Sequence, residues 1–587
     1  MKKGFTLFLV CFSFLSLNAQ KKDQAIDTVK TEVVNIVTKY NPKISDAKKI
    51  NKNPKIELLK KSEKKKLEYT IFSAPVASTF IPKSGVVKGI DVGVKERIYN
   101  NYLAAGFGNY TTPYLEAYLK YSTSFKNEFG FNAKYLASLD NVSNTVLNSN
   151  FSNFNIGAFY KQEERYFDWK VTLNSERNLY NWYGLPDLNY TDPTISAINE
   201  EQVYNYFDLI GEFTFEDSYI DSGKINIANF TDSYKSKETL VKFDAKLNLP
   251  LDFIGSNLND LSLATSIEFL QGEFKNDYSN SNSLKYGTST ININPQYKIE
   301  YEGFSIKTGL KLIASFDSEN SANNFFILPD IFVEGPIMDD YLNIYGGFTG
   351  DLHTNSYKNF TEENPYVSPT LFITQTLEKS NLFFGLKGLI IDDLSFNVKA
   401  SFKSEEDKPL FIRNNSKSDG TNTAFNSMDL NGYEYGNSFN VSYDDVKTNS
   451  LFTELEYEYS KNLSFGLQGI YNNYKLKNAE EAWNLPSVEG SISAKYKATK
   501  WFAGANIFFV SERKDALYSN QYPASLSGTE SINSFADVNL NGGYHFNDKF
   551  SAFLKLNNVL NTKYQRFANF NTQGAQILGG LTYKFDF

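Results

Sequence analysis

Among its 587 residues the chain has a single cysteine, Cys11, two histidines, His353 and His545, and three methionines. One thiol excludes a disulfide framework, so the fold must be held by noncovalent pairing. Two histidines offer little to acid–base chemistry. Neither is accompanied by a serine-nucleophile motif, a metal-ligand cluster or a phosphate-binding loop. His353 falls at an expected loop edge and His545 at an expected strand end, while adjacent acids such as Glu362 and Glu363 sit in expected turns or loops. No catalytic residue, metal or cofactor is therefore expected. Long apolar runs are missing too. Mean hydropathy is −0.40, and outside residues 5–17 nothing approaches the ~20 apolar residues of a spanning helix, which excludes a helical membrane protein. The absence of a fixed short repeat argues against a soluble β-solenoid.

What the chain has in excess is aromatic surface: 39 Tyr and 50 Phe, with abundant Asn and Ser. Aromatic girdles around a polar lumen produce that mixture. The N-terminus reads as a secretory signal over residues 1–19. Lys2 and Lys3 form the charged region, Phe5 to Leu17 the apolar core, and Leu17-Asn18-Ala19 the cleavage site. Cleavage there removes Cys11, whose preceding Val10 suits a lipoprotein site poorly. Charge is unevenly spread. Residues 21–66 carry a net +8, and residues 67–587 carry −18. A basic leader before an acidic body can signal nucleic acid binding. A solvated periplasmic segment, or one docking into an acidic lumen, fits better, and no nucleic acid partner is expected. Residues 20–66 lack periodicity and are expected to be extended or disordered. Pro75 and Pro82 argue against a central strand in residues 67–98.

From Tyr99 onward the side chains alternate with a period of two, the signature of strands with two different faces. The pattern predicts 22 strands over residues 99–587, the first at 99–108 and the last at 574–587. Short turns are expected near 125–127, 392–393, 461 and 547–548, and long connections near 178–202, 351–379, 405–446 and 512–533. Open sheets of this size would expose hydrogen-bonding edges that lipid cannot satisfy. The expected fold is therefore all-β: a closed antiparallel transmembrane β-barrel of about 22 strands, preceded by a short periplasmic segment. Its expected setting is the bacterial outer membrane, with lipid around the wall.

Two strands show the faces clearly. Leu115, Ala117, Leu119 and Tyr121 alternate with Tyr114, Glu116, Tyr118 and Lys120, and the charged set must face inward. Further on, Leu451, Thr453, Leu455, Tyr457 and Tyr459 alternate with Phe452, Glu454, Glu456 and Glu458. The three glutamates would give the lumen an acidic stripe that attracts cations or a basic segment. Alternatively, they pair with lysines such as Lys495 and Lys497. The aromatic segment Asn181 to Asp187 is an expected outer loop. Its Trp182, Tyr183 and Asp187 are candidates for ligand binding, since binding residues cluster on loops over rigid scaffolds. The same loop could equally pack on its neighbours or sit at the headgroup level.

The closing residues Ile577 to Phe587 alternate apolar with small or polar side chains and end on phenylalanine. They resemble the C-terminal signal of bacterial outer-membrane barrels. Together with the stretch Asn557-Asn558-Val559-Leu560-Asn561-Thr562-Lys563-Tyr564, they resemble the C-terminal end of TonB-dependent outer-membrane receptors. The signal end Leu17-Asn18-Ala19-Gln20 and the Asn/Lys-rich composition look like those of a Bacteroidota protein. The resemblance implies a nutrient-uptake receptor energised by a TonB-like periplasmic protein. Thr31, Glu32, Val33, Val34, Asn35, Ile36 and Val37 look like the TonB box that contacts this partner by strand pairing. A short extended segment with chance valines is the plainer reading of the same residues. The family fills its barrel with a plug domain of well over a hundred residues. Here residues 20–98 precede the first strand, which implies a reduced plug, a partner in the lumen, or constriction by side chains and loops. A non-energised structural barrel, serving as a subunit of an outer-membrane or periplasmic assembly, is the alternative function.

Overall fold

A computed structural model describes residues 97–587 apart from 125, 252–259, 281, 340, 422–429 and 520–523. The expected signal peptide, nearly all of the segment 20–98, and the TonB-box-like residues 31–37 lie outside the described residues. β1 to β6 run Asn101–Gly108, Thr112–Ser124, Asn127–Ser138, Phe151–Glu163, Phe167–Asn181 and Glu201–Phe215. β7 to β12 run Ile220–Asp232, Lys237–Leu249, Leu261–Phe274, Leu284–Tyr301, Phe304–Asp317 and Asn323–Met338. β13 to β19 run Leu342–His353, Thr376–Ile391, Leu394–Arg413, Phe439–Ser460, Leu463–Leu476, Val488–Lys497 and Trp501–Val510. A hairpin, β20 (Arg513–Tyr518) and β21 (Leu526–Ile532), precedes β22 (Phe535–His545) and β23 (Phe550–Asn557). A smaller hairpin, β24 (Gln565–Phe567) and β25 (Phe570–Asn571), precedes β26 (Gln576–Phe585).

Apart from the two hairpins, these strands form one 22-stranded sheet. It closes because β1 pairs β26 without a slip, from Asn101↔Phe585 to Gly108↔Leu578. Beyond the last rung, the Asn100 amide donates to Asp586 Oδ1 at 2.8 Å. Gly580 is needed on this seam, since a Cβ there would lie 2.4 Å from both the Ala105 carbonyl oxygen and the Phe553 ring. Closure leaves the sheet no edge to satisfy, which is the condition for spanning lipid.

The two faces separate as the alternation predicts. Leu115, Leu451, Ile577, Leu581 and Tyr583 are 44–55% exposed, part of a continuous apolar outer surface. On a soluble protein such a band would be an aggregation surface; around a closed barrel it is the belt that meets lipid. Inside, charges pair across neighbouring strands, as in Lys120–Glu128 at 2.6 Å and Lys242–Glu268 at 3.2 Å, and across an intervening strand in Lys311–Asp351 at 2.7 Å. Phe384, 54% exposed near the middle of β14, tests the assignment of faces. Phe384→Lys should cost about 2–4 kcal/mol of barrel stability, measured by urea titration in lipid vesicles, if this face meets the bilayer interior.

Two of the expected long connections are partly strand. The connection expected at 405–446 is partly strand, because β15 runs on to Arg413 and β16 begins at Phe439. Alternation fails there because both faces are covered: Leu410 and Phe411 are consecutive and both buried. The connection expected at 512–533 contains the β20–β21 hairpin. After the turn at 547–548, β23 stops at Asn557, because Asn558 adopts φ +47 and turns the chain out of the ladder.

Candidate functional site

Most turns at the end where β1 begins and β26 stops are short, whereas the opposite end carries the long connections, the outer side in barrels of this kind. These connections converge over the mouth. Residues from 139–150, 182–200, 354–375, 414–438 and 558–575 contribute to one buried cluster, with Tyr183, Tyr357, Val367, Tyr435 and Phe570 among its members. Wall residues near the strand ends, among them Tyr204, Phe230, Phe274 and Phe439, join it. Loops that pack a shared core are held like a small domain, not as independent flexible tips.

The 182–200 connection enters this core through Tyr183 and Ile198, and its Trp182 sits in a second buried cluster with Tyr278 and Tyr433. Trp182 is 1% exposed, with its indole at 5.4 Å from the Tyr234 ring and 5.5 Å from the Tyr433 ring. Its Nε1 donates to the Tyr366 carbonyl at 3.1 Å, and its own carbonyl accepts from Asn437 Nδ2 at 2.6 Å. The Tyr183 hydroxyl donates to the Asn571 carbonyl at 2.8 Å. Asp187 is exposed. Of the three ligand-binding candidates in this loop, two are therefore packed inside the cap and one stands at its surface. A short helix follows, α1 (Asp192–Ala197), with Pro193 in its first turn.

The 354–375 connection departs furthest from a surface loop. It leaves β13 and re-enters β14 at a single rung, His353 opposite Thr376. Between them lies α2 (Tyr357–Glu363), which starts where Ser356 Oγ accepts from the Asn359 amide at 3.1 Å. The helix reaches the wall at β5 to β10. The Tyr357 hydroxyl donates to Asp232 Oδ2 at 2.9 Å, and the Tyr357 amide to Glu238 Oε2 at 2.6 Å. Lys358 lies 3.4 Å from Glu176 Oε2 and 4.5 Å above the Tyr206 ring. After the helix, Val367 and Phe439 form a parallel bridge at the end of β16, and the Ser368 amide donates to the Phe439 carbonyl at 2.8 Å. Arg566, from the connection before β26, donates to the Glu363 carbonyl at 3.3 Å. The segment thus runs across the mouth as a crossbar, held on both sides.

Two cavities meet the crossbar. One of about 1280 Å³ lies among the inner-wall charges, including Lys170, Glu212, Lys242 and Glu268, with Asn355, Asn359, Phe360 and Glu363 of the crossbar also lining it. The other, of about 450 Å³, is lined by Asn150, Asn178, Tyr180, Arg566 and Gln573 together with Lys358, Glu362 and Tyr366. The helix therefore gives residues 359 and 363 to one cavity and 358 and 362 to the other, each pair one turn apart.

The lumen glutamates occupy the inner face of β16, since Leu451 on the alternate set is exposed outward. Glu454 stands between Asn397 and Gln468, and Glu456 between Ser395 and Gly466. Lys495 and Lys497 are on β18, with β17 intervening. Sequence reasoning passed over Tyr357, Asp232, Glu238 and Arg566. The one local signal was the helix start at Ser356, inside a stretch read as loop.

The stretch Asn557 to Tyr564 is a built turn. Asn558 and Asn561 sit at φ +47 and +52, a region that asparagine tolerates better than most side chains. Asn558 Oδ1 accepts from the Thr562 amide at 2.9 Å, and its Nδ2 donates to the Gln573 carbonyl at 3.1 Å. The Tyr564 ring stacks on Phe535 at 4.0 Å, and its hydroxyl donates to Asp537 at 2.9 Å.

No protein-family model matches the chain, and no curated protein sequence matches it significantly. Solved structures do. The ferric enterobactin receptor of Pseudomonas aeruginosa matches with a TM-score of 0.59 at 10% identity, over 84% of this chain and 81% of that one. The ferripyoverdine receptor of the outer membrane of Pseudomonas aeruginosa, bound to ferripyoverdine, matches with a TM-score of 0.59 at 12% identity, over 84% and 72%. A receptor in complex with pyocin S2 gives a TM-score of 0.61 at 12% identity, over 83% and 73%. The chain therefore has the 22-strand barrel fold of TonB-dependent outer-membrane receptors.

Proposed function

We propose that this barrel is an outer-membrane receptor that takes up a nutrient, with energy supplied by a TonB-like periplasmic protein. The observation that carries this reading is a wide polar lumen whose outer mouth is built over by packed loops. An open porin would not need such a cap, and a purely structural barrel would not need a charged passage beneath it. In this reading Asp187, exposed on the cap, is the member of the loop trio that a ligand can reach first. Trp182 and Tyr183 hold its loop in shape. Glu454, Glu456 and Glu458 line the passage. Residues 31–37 contact the energising partner.

Deleting residues 31–37 tests the energised part. The variant should insert and fold as a barrel yet lose uptake, measured with a panel of labelled ferric siderophores, oligosaccharides and peptides in cells with and without the gene. Uptake that survives both this deletion and collapse of the proton-motive force would reduce the protein to a passive channel.

A further inference from the structure

We propose that the outward face of the wall carries a site for the phosphate groups of an outer-leaflet lipid, centred on Lys447 of β16 and Lys475 of β17. The site rests on the outer-membrane setting alone and is independent of what the barrel takes up.

The register places the two lysines directly opposite each other. Both belong to the lipid-facing set. On β16, Lys447, Asn449 and Leu451 are exposed, whereas Val446 and Thr448 between and beside them are buried. On β17, Lys475, Asn473 and Tyr471 are exposed in the same alternation. Like charges on one rung, with Cβ atoms about 4.5–5.5 Å apart, repel and weaken a sheet. Among the described residues neither lysine joins an ion pair. Asp445 is taken by Lys477 at 2.7 Å, and Glu406 is taken by Lys379. The two ammonium groups are left for an anion from outside the chain.

Their depth on the wall selects the anion. Toward the membrane centre the next rungs are Asn449 opposite Asn473, then Leu451 opposite Tyr471. Leu451 and Tyr471, 47% and 49% exposed, stand on the apolar belt. Four residues along a strand span about 13 Å. Over that distance the face passes from apolar side chains through amides to ammonium groups, as a lipid passes from acyl chain to headgroup. A lipid phosphate is thereby delivered to the lysines by acyl chains lying on Leu451 and Tyr471. The long connections leave the barrel at this end, so the leaflet is the outer one.

The same step recurs elsewhere on the wall. A second lipid-facing rung runs Arg177, Asn205, Thr231, Lys237, Glu273 and Lys285 through consecutive pairings. It lies four residues beyond the exposed Leu173, Val241 and Phe269 of the belt. Three cations share this rung with one carboxylate, Glu273, at 3.7 Å from Lys237. At the opposite rim the outward face presents Tyr121, Tyr301, Tyr459, Trp501 and Tyr544. The two rims therefore differ, and these cations stand on the one that meets the outer leaflet.

The test is lipid retention by the full chain in neutral detergent, read by native mass spectrometry. The probe is diphosphoryl lipid A, and a phosphate-free galactolipid is the control. The unaltered chain should retain lipid A and release the galactolipid. Lys447→Gln with Lys475→Gln should weaken binding of one lipid A copy by about tenfold to thirtyfold, as for two cations removed from an anionic headgroup. Lys399→Gln with Lys495→Gln removes the same charge from the lumen side and should leave binding unchanged. In phosphate-free vesicles the Lys447/Lys475 variant should unfold at no lower urea concentration than the unaltered chain, because a like-charged rung has been relieved. Added lipid A should then stabilise the unaltered chain more than the variant. Equal lipid A binding by the two would overturn the proposal. So would displacement of lipid A by millimolar inorganic phosphate, the mark of a site for a free anion.

Discussion

Replacing Trp182 with alanine should destabilise the loop cap by roughly 3–5 kcal/mol and leave the barrel below it folded. The indole is buried between Tyr234 and Tyr433, so its removal opens a cavity that two ring neighbours on separate connections cannot fill together. It also strips the Tyr366 carbonyl of its donor, an added cost for a polar group inside a packed cluster. Hydrogen–deuterium exchange should show faster exchange in segments 182–200 and 354–375, because Trp182 and Tyr366 join them. The strands around the membrane belt should keep their protection. Asp187→Ala, at the exposed tip of the same loop, should leave exchange unchanged. If Trp182→Ala left cap exchange unaltered and abolished uptake, the indole would be a ligand contact after all.

This pair of variants separates the two readings that the sequence left level for residues 181–187. Composition and turn formers marked the loop as important but could not say which way Trp182 pointed. That depends on Tyr433 and Asn437, some 250 residues away. The same reasoning divides the whole molecule. Within the wall, each strand has one face on lipid and one on water, so the alternation writes the fold into the local sequence. The 22 wall strands close into one sheet, from β1 to the closing β26. At the outer mouth the rule lapses. Leu410 and Phe411 on β15 are both buried, and Phe439 and Val441 on β16 pack against crossbar and cap, so burial there follows the loops and not a period of two. The crossbar was hidden for the same reason. Its anchors Asp232 and Glu238 look like ordinary loop-edge acids until Tyr357 arrives from 125 and 119 residues away. The Asn557–Tyr564 stretch was legible through its resemblance to a known C-terminal end, and its two asparagines at positive φ make the turn there.

Arg413→Ala should be as costly as Trp182→Ala, and its effect should depend on pH in a defined direction. Arg413 is 4% exposed at the outer end of β15, where its guanidinium donates to Glu530 at 2.9 Å and to the Ala516 carbonyl at 2.8 Å. Beside it Asp515, fully buried in the β20–β21 hairpin, accepts from the Arg413 amide at 3.1 Å. Burial outweighs the lowering by the Arg413 amide and charge, and the lesser lowering by the Ala516 amide and Asn484, and leaves the Asp515 carboxyl raised to about 6. Losing the guanidinium costs about 3–5 kcal/mol, the sum of a hydrogen bond to the charged Glu530 and a buried Ala516 carbonyl left without its donor, while the bond from the residue-413 amide to Asp515 remains. A carboxyl raised above its unfolded value near 4 favours the folded hairpin when protonated. That contribution is therefore complete below about pH 4 and is lost as pH rises through about 6. Exchange of the 513–532 amides, corrected for intrinsic rates, should thus be about tenfold more protected at pH 5 than at pH 8 in the unaltered chain. In Arg413→Ala the carboxyl loses its nearby charge and rises further, so the loss of protection should extend to higher pH. Asp515→Asn should flatten the pH dependence in both backgrounds. Protection that rises with pH in the unaltered hairpin would show that Asp515 is held as a stabilised carboxylate, and the destabilisation expected for Arg413→Ala would then come from the Glu530 pair and the Ala516 carbonyl alone.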